Sequence, residues 1–346
     1  MARIIILTEG KSNPMDAKTA CGVLRYRCED VVALIDSTLT GKTTGEVLGV
    51  GGDTPFVSSL ENVEADTLLI GIAPAGGQLP ESWRAVIRAA LTKKMKVING
   101  LHTFLADDEE FAQLAEKHGS TIEDLRRSPE GLNVSRNVAR ETPCYRVHTI
   151  GLDCNSGKMS TGLEIDLELR GRGKNSEFVA TGQTGILISG WGIAIDRVVS
   201  DFVAGATEKM VVEHQDAEFL VVEGQGSLNH PLYSGVTLGL LHGCAPQAMV
   251  FCFPAGRETV HRLDVGFPPL EELIALYEQM AGYICPAKVV GVSVNTSALS
   301  ERDAQKEVRA VEEQLQLPAT DPYRFGVENL VDAILKERDT SQSTNE

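Results

Sequence analysis

An apolar run of strand length, Arg146–Ile150, leads directly into Gly151-Leu152-Asp153-Cys154-Asn155-Ser156-Gly157-Lys158-Met159-Ser160-Thr161, and residues 162–169 then read as a helix. A strand, a glycine loop ending in Gly-Lys and a helix, in that order, leave few choices of fold. Glycines let backbone amides turn inward around an anion, the helix N-terminus adds partial positive charge, and Lys158 adds a full one. Phosphate is the natural guest of such a P-loop, and the expected scaffold is a mostly parallel sheet with helices on both faces.

Two features depart from the usual nucleotide loop. Five residues separate Gly151 from Gly157, where the common pattern has four. The residue after the lysine is Met159, a soft thioether unsuited to a hard cation, which leaves Ser160 or Thr161 to offer a hydroxyl. Gly151, Asp153, Cys154, Asn155, Gly157, Lys158, Met159, Ser160 and Thr161 are the candidate cofactor contacts; the plainer alternative is a glycine-rich turn capping a helix, with Lys158 solvated. Gly41-Lys42-Thr43-Thr44 looks similar, but Asp36 stands where the first glycine belongs, so it reads as an ordinary turn.

Strand-length apolar runs recur along the 346 residues at 4–7, 31–35, 67–72, 96–98, 185–189, 219–222, 248–253 and 289–294, with helical patterns such as 81–94 and 270–280 between them. This is the rhythm of an α/β protein with a parallel sheet. Strands stop between Asp107 and Pro143, so the chain divides there into a first domain, 1–140, and a second, 141–335; the polar tail 336–346 is expected to be disordered. A net charge of −16 with no basic patch argues against a nucleic-acid partner. Seven cysteines, an odd count without a C-x-x-C pair, read as reduced thiols of a cytoplasmic protein. No apolar stretch approaches the roughly 18–20 residues of a membrane span. Small-molecule substrates and a homo-oligomeric state are expected.

A second apolar strand, 219–222, ends in Glu223 and is followed by Gly224-Gln225-Gly226-Ser227-Leu228-Asn229-His230-Pro231. An acid at that position either holds Mg²⁺ or positions a polar group beside the phosphate. His230, in the loop beyond, is the histidine placed for proton transfer. His102, after a first-domain strand, is a comparable candidate expected to face the domain interface, and Asn295 ends the strand 289–294, where α/β folds place ligand-reading groups or a helix cap.

The loop resembles that of dethiobiotin synthetases, which share the longer gap and a Val-Glu-Gly-Ala-Gly segment similar to Val222-Glu223-Gly224-Gln225-Gly226. Nearly the whole chain is more similar still to the family that includes the DgcN-type D-glutamate N-acetyltransferases. The segments that carry this are 16–26, 71–77, 98–105, the Gly-Lys-Met loop itself, 180–185 and 224–231. The resemblance implies an N-terminal Rossmann-like domain, a C-terminal P-loop NTPase-like three-layer α/β/α domain, and acetyl transfer from acetyl-CoA to the amine of D-glutamate.

On that reading the loop holds a phosphate of coenzyme A, His230 or Glu223 removes the acceptor's proton, and Lys158 or loop amides stabilise the oxyanion. Lys18, Arg25, His102, Gln183 and Arg257 are the candidate acceptor contacts. The alternative is an ATP-dependent ligase or kinase in which Lys158 grips the β/γ-phosphates and Glu223, with Ser160 or Thr161, holds Mg²⁺. A non-catalytic nucleotide-binding protein is the third reading.

Overall fold

The computed structural model describes residues 3–73, 76–261 and 263–345. The chain forms two compact units: Met1–Ser128 with Ile186–Arg197, and Pro129–Gly185 with Val198–Glu346. The first break comes earlier than 140/141 for a physical reason. Glu208, in the helix Val203–Glu213, accepts the amides of Arg136 and Val138 at 2.7 and 2.6 Å and the Ser135 hydroxyl at 3.0 Å, which ties that segment to the second unit. Residues 186–197 return to the first unit, where Leu187 is packed in its core, the Leu187 carbonyl accepts from Arg27 at 2.8 Å, and Asp196 pairs with Arg126.

In the first unit six parallel strands, β1 (Ile4–Leu7), β2 (Val31–Ile35), β3 (Phe56–Val57), β4 (Thr67–Ile70), β5 (Lys96–Asn99) and β6 (Ile122–Asp124), lie in the order 3-2-1-4-5-6. This is the doubly wound Rossmann order. Fully buried strand residues such as Ile5, Leu7, Leu68 and Ile70 face Trp83, Ile87 and Leu91 of the covering helical segment, which explains why these strands read as continuous apolar runs. The strand β6 corrects the expectation that strands cease after Asp107; its three residues, Ile-Glu-Asp, carry too little apolar pattern to be seen.

The second unit holds β7 (Tyr145–Gly151), β8 (Ser176–Val179), β9 (Phe219–Val222), β10 (Ala248–Pro254), β11 (Lys288–Asn295) and β12 (Ala319–Thr320), all parallel, in the order 12-11-10-7-9-8. The strand β7 is central, and its carboxyl end delivers the glycine loop to the middle of the sheet edge, flanked by the ends of β9 and β10.

Residues 183–189, expected as a strand from 185, form a helix instead. A short apolar run does not distinguish the two by itself. The tail also differs from expectation: the last helix runs from Glu328 through Asn345, and Glu346 lies outside the described residues. In its middle Arg338 pairs with Glu218 and lies 4.6 Å from the Phe219 ring centroid, and Glu337 meets Lys288. The turn at Gly41–Thr44 is a helix start, with Thr43 and Glu46 forming a capping box.

Candidate functional site

Between the end of β7 and the helix Lys158–Gly171 the backbone curls around a point at the carboxyl edge of the sheet. Asn155 and Gly157 adopt left-handed conformations, φ 55° and 97°, which Asn tolerates and Gly favours. Gly151 has no room for a side chain, because a Cβ there would collide with the Cys252 carbonyl of the neighbouring strand. Among the described residues no protein group accepts the amides of Ser156, Gly157 and Lys158. Three unengaged amides at the start of a 14-residue helix are the donor set an anion would take. Lys158 is buried, and its ammonium donates to the Asp153 carbonyl at 2.7 Å and to Ser156 Oγ at 3.1 Å, spanning its own loop. Burial pulls its pKa down, while nearby Cys252, Cys154, Asp153 and Glu223 oppose that.

The loop's acidic residue is spent on structure. Asp153 is fully buried; one carboxylate oxygen accepts Arg257 Nη1 and the His261 amide, each at 2.8 Å, and the other accepts the Cys154 amide at 2.6 Å. Arg257 also donates to the Cys154 carbonyl at 2.9 Å. The guanidinium expected to meet an acceptor carboxylate is thus paired inside the protein. Tyr277, which no local pattern singles out, donates to the Gly151 carbonyl at 2.9 Å and accepts the Leu228 amide at 3.1 Å, stapling this loop to the one after β9.

Glu223 closes the other side. Its Oε2 accepts the amides of Thr181 and Gly182 at 2.8 and 3.1 Å, and Gln225 Nε2 donates to the Thr181 carbonyl. Desolvation pushes the Glu223 carboxyl up to about 7, against the pull of those amides and of Lys158. No hydrogen bond engages its Oε1 among the described residues. Close approach is enforced by glycine: a Cβ at Gly185 would stand 2.6 Å from Glu223 Oε2, and one at Gly224 would overlap the Thr149 carbonyl. Gln183, the first residue of the helix 183–189, lies next to this loop and is half-buried.

His230 is brought to the loop, but not as a base. It is 1% exposed; Nδ1 accepts the Leu232 amide at 3.2 Å, and Nε2 lies 3.7 Å from Asp153 Oδ1 with no hydrogen-bond partner among the described residues. A neutral ring whose Nδ1 accepts carries its proton on Nε2, so the lone pair a base needs is already engaged. His230, Asp153 and Cys154 offer three ligand atoms within 4.8 Å of one another. The Leu232 amide argues against a cation there, because a metal on Nε2 requires a proton on Nδ1.

A Mg²⁺ ion is no better served at the positions where the nucleotide reading puts it. Thr161 Oγ1 is committed to the Gly157 carbonyl and to Ser293 Oγ, at 3.0 and 2.7 Å, Ser160 Oγ accepts from Tyr323 at 2.6 Å, and Met159 supplies only sulfur. Asn295 sits beside the loop, its Cβ 4.0 Å from where a Gly157 Cβ would be, and its Oδ1 accepts the Ser297 amide at 3.1 Å.

Three expected contacts belong to the first unit. Lys18 opens the helix Lys18–Tyr26 and Arg25 stands in its last turn, about 10 Å further along the axis. His102 Nε2 is 3.7 Å from Asp196 Oδ2; burial, then the charges of Arg126 and Arg197, hold its pKa below the usual value.

The model of a P-loop domain of unknown function, DUF1611, matches residues 133–331, and that of its Rossmann-like N-terminal partner matches residues 37–128. The chain belongs to the DUF1611 family. This DUF1611 chain is 40% identical over 322 residues to a D-glutamate N-acetyltransferase from Tritonibacter scottomollicae, covering 92% of this chain and 94% of the relative. It is 36% identical over 269 residues to a protein of the same name from a Pseudoalteromonas species, covering 77% and 80%. A crystal structure of a DUF1611 protein from Anabaena variabilis superposes with a TM-score of 0.91 at 38% identity, covering 97% of this chain and all of that one. Among the described residues no helix is long and apolar enough to cross a membrane.

Proposed function

We propose that this chain is a D-glutamate N-acetyltransferase that takes its acetyl group from acetyl-CoA and holds a phosphate of that cofactor in the 151–161 loop. The observation that carries the reading is the cradle of unengaged Ser156, Gly157 and Lys158 amides beside the buried Lys158 ammonium, in a chain similar along nearly its full length to proteins of that name. An anion fits these residues on their own chemistry: the donors converge, and the loop's own carboxylate is turned away and neutralised by Arg257.

Acetyl-CoA supplies an activated thioester, and the acceptor supplies an amine that must shed a proton before attack. Glu223 is the proposed base. A carboxyl titrating near 7 is half ionised at neutral pH, the range in which a general base works best, and Oε1 is its unengaged oxygen. The two amides on Oε2 hold the carboxylate in one orientation. Lys158 is proposed to leave the Asp153 carbonyl for the cofactor phosphate, converting a neutral-acceptor bond into a charge-assisted one.

The direct test is isothermal titration with acetyl-CoA and, separately, with ATP and Mg²⁺, followed by thiol release across a panel of D- and L-amino acids. Micromolar binding of acetyl-CoA with turnover on D-glutamate is expected. Tight ATP binding without acetyl-CoA binding would overturn the reading.

A further inference from the structure

Among the described residues the buried His230 Nε2–H is a hydrogen-bond donor with no acceptor, and a ring nitrogen of His230 lies within 4.8 Å of Cys154 Sγ. A buried donor left without a partner is destabilising, so such a group in a built site marks a missing acceptor. Two acceptor atoms lie near it. Asp153 Oδ1, at 3.7 Å, is beyond hydrogen-bond reach and already accepts the Cys154 amide. The other is Cys154 Sγ, which with a ring nitrogen of His230 and a carboxylate oxygen of Asp153 forms a group of atoms within 4.8 Å of one another. Unlike its two neighbours, Cys154 is only half-buried.

We propose that Cys154 is a reactive thiolate, stabilised by the His230 Nε2–H, and that its sulfur is a site of covalent capping by small disulfides at the mouth of the anion cradle. Lys158 is close enough for a Cys154 charge to bear on its own ionisation, and the start of its helix adds partial positive charge. The opposing charge, Asp153, is compensated by Arg257 and the His261 amide. Low-pKa cysteines are found in electropositive, partly exposed places of this kind.

In the capping step the Cys154 thiolate attacks one sulfur of a disulfide R–S–S–R. A Cys154–S–S–R bond forms, the original S–S bond breaks, and RS⁻ leaves and takes a proton from water. The disulfide is the only oxidant required. On this proposal a group attached at that sulfur blocks the loop amides, so capping and anion binding exclude each other.

The test is the rate of iodoacetamide alkylation at the Cys154 peptide, followed by mass spectrometry from pH 5 to 10 on the full-length protein, with and without inorganic pyrophosphate. Alkylation is expected to follow a titration at least about one unit below the ordinary thiol value near 8.5, and pyrophosphate is expected to slow it roughly tenfold or more. A midpoint at or above 8.5, or no protection by pyrophosphate, overturns the proposal. His230→Gln is expected to raise the midpoint, with circular dichroism confirming that the variant is folded. If His230→Gln fails to fold, the wild-type midpoint and protection decide the matter alone. An arm with coenzyme A bears on the proposed function instead: protection by pyrophosphate without protection by coenzyme A leaves the thiolate standing and removes the cofactor assignment.

Discussion

Lys158 Nζ donates to the main-chain carbonyl of Asp153, five residues earlier in the same loop, at 2.7 Å. The lysine therefore holds the loop in shape, and on the proposed function it gives up this bond for the cofactor phosphate. Replacing Lys158 with Ala removes one charge-assisted bond to the anion, worth about 1.5–3 kcal/mol. Acetyl-CoA affinity is expected to fall roughly 10- to 100-fold, while the KM for D-glutamate stays within about twofold. Titration calorimetry and initial rates check both, and unchanged acetyl-CoA affinity would show that the loop does not hold the cofactor.

Arg257 balances the one fully buried carboxylate of the loop, so its loss should appear as disorder of the cradle rather than as a failure to recognise the acceptor. Arg257→Ala is expected to destabilise the protein by about 2–4 kcal/mol, as removal of one partner of a buried pair does. The KM for acetyl-CoA is expected to rise with that loss. Adding Asp153→Asn to Arg257→Ala should recover part of the stability, because the uncompensated charge disappears. Urea unfolding of the two single variants and the double variant measures the coupling; a double variant no more stable than Arg257→Ala would show that the pair is not electrostatic in origin. A variant that instead raises only the KM for D-glutamate would restore Arg257 to the acceptor.

The contrast between Lys158 and Arg257 shows which parts of the site a sequence carries. The cradle was legible because its parts are contiguous: a buried strand, glycines at the positions that need them, a lysine, and a helix within 25 residues. So was the second carboxylate, since Glu223 ends an apolar run and is followed by glycines. The partners of these groups come from far along the chain. Arg257 meets Asp153 across 104 positions, Tyr277 meets Gly151 across 126, and Ser293 meets Thr161 across 132. No local pattern encodes those meetings; the strand order 12-11-10-7-9-8 does, by placing the ends of β10 and β11 beside β7. Which ring nitrogen of His230 is engaged was not legible for the same reason, because it depends on a backbone amide that only the folded turn supplies.

Gly224 offers a stringent test of how closely the loop after β9 packs. A Cβ there would overlap the Thr149 carbonyl oxygen and come within 3.1 Å of the Lys158 side chain. Backbone cannot yield as a flexible side-chain tip does, so Gly224→Ala is expected to cost about 3 kcal/mol or more and to displace both Lys158 and Glu223. Thermal unfolding and acetyl-CoA titration of the variant check this; wild-type behaviour in both would mean that the close approach is absent in solution. Gly173, in a left-handed turn with nothing near its Cβ position, serves as the comparison. Gly173→Ala should cost stability through φ strain alone and leave binding unchanged.

Glu223 and His148 titrate in opposite senses, and together they shape the pH dependence of stability. Burial raises the Glu223 carboxyl from 4.5 to about 7, so the folded state binds the proton more tightly; its stabilising contribution is complete below about 4.5 and is lost as pH rises toward 7. Burial lowers His148, whose Nδ1 lies 3.1 Å from the Val222 carbonyl, from 6.5 to about 4. Its contribution is complete above about 6.5 and is lost as pH falls toward 4. Between roughly 4.5 and 6.5 the two slopes, each about 1.4 kcal/mol per pH unit, nearly cancel. Glu223→Gln removes the falling slope, so the variant should gain stability as pH rises through that window, by up to about 3 kcal/mol. His148→Gln removes the rising slope and should do the reverse. Urea midpoints at half-unit intervals from pH 4.5 to 7.5 read all three proteins. Parallel curves for wild type and Glu223→Gln would show that the Glu223 carboxyl titrates normally, and would remove it as a base working near neutral pH.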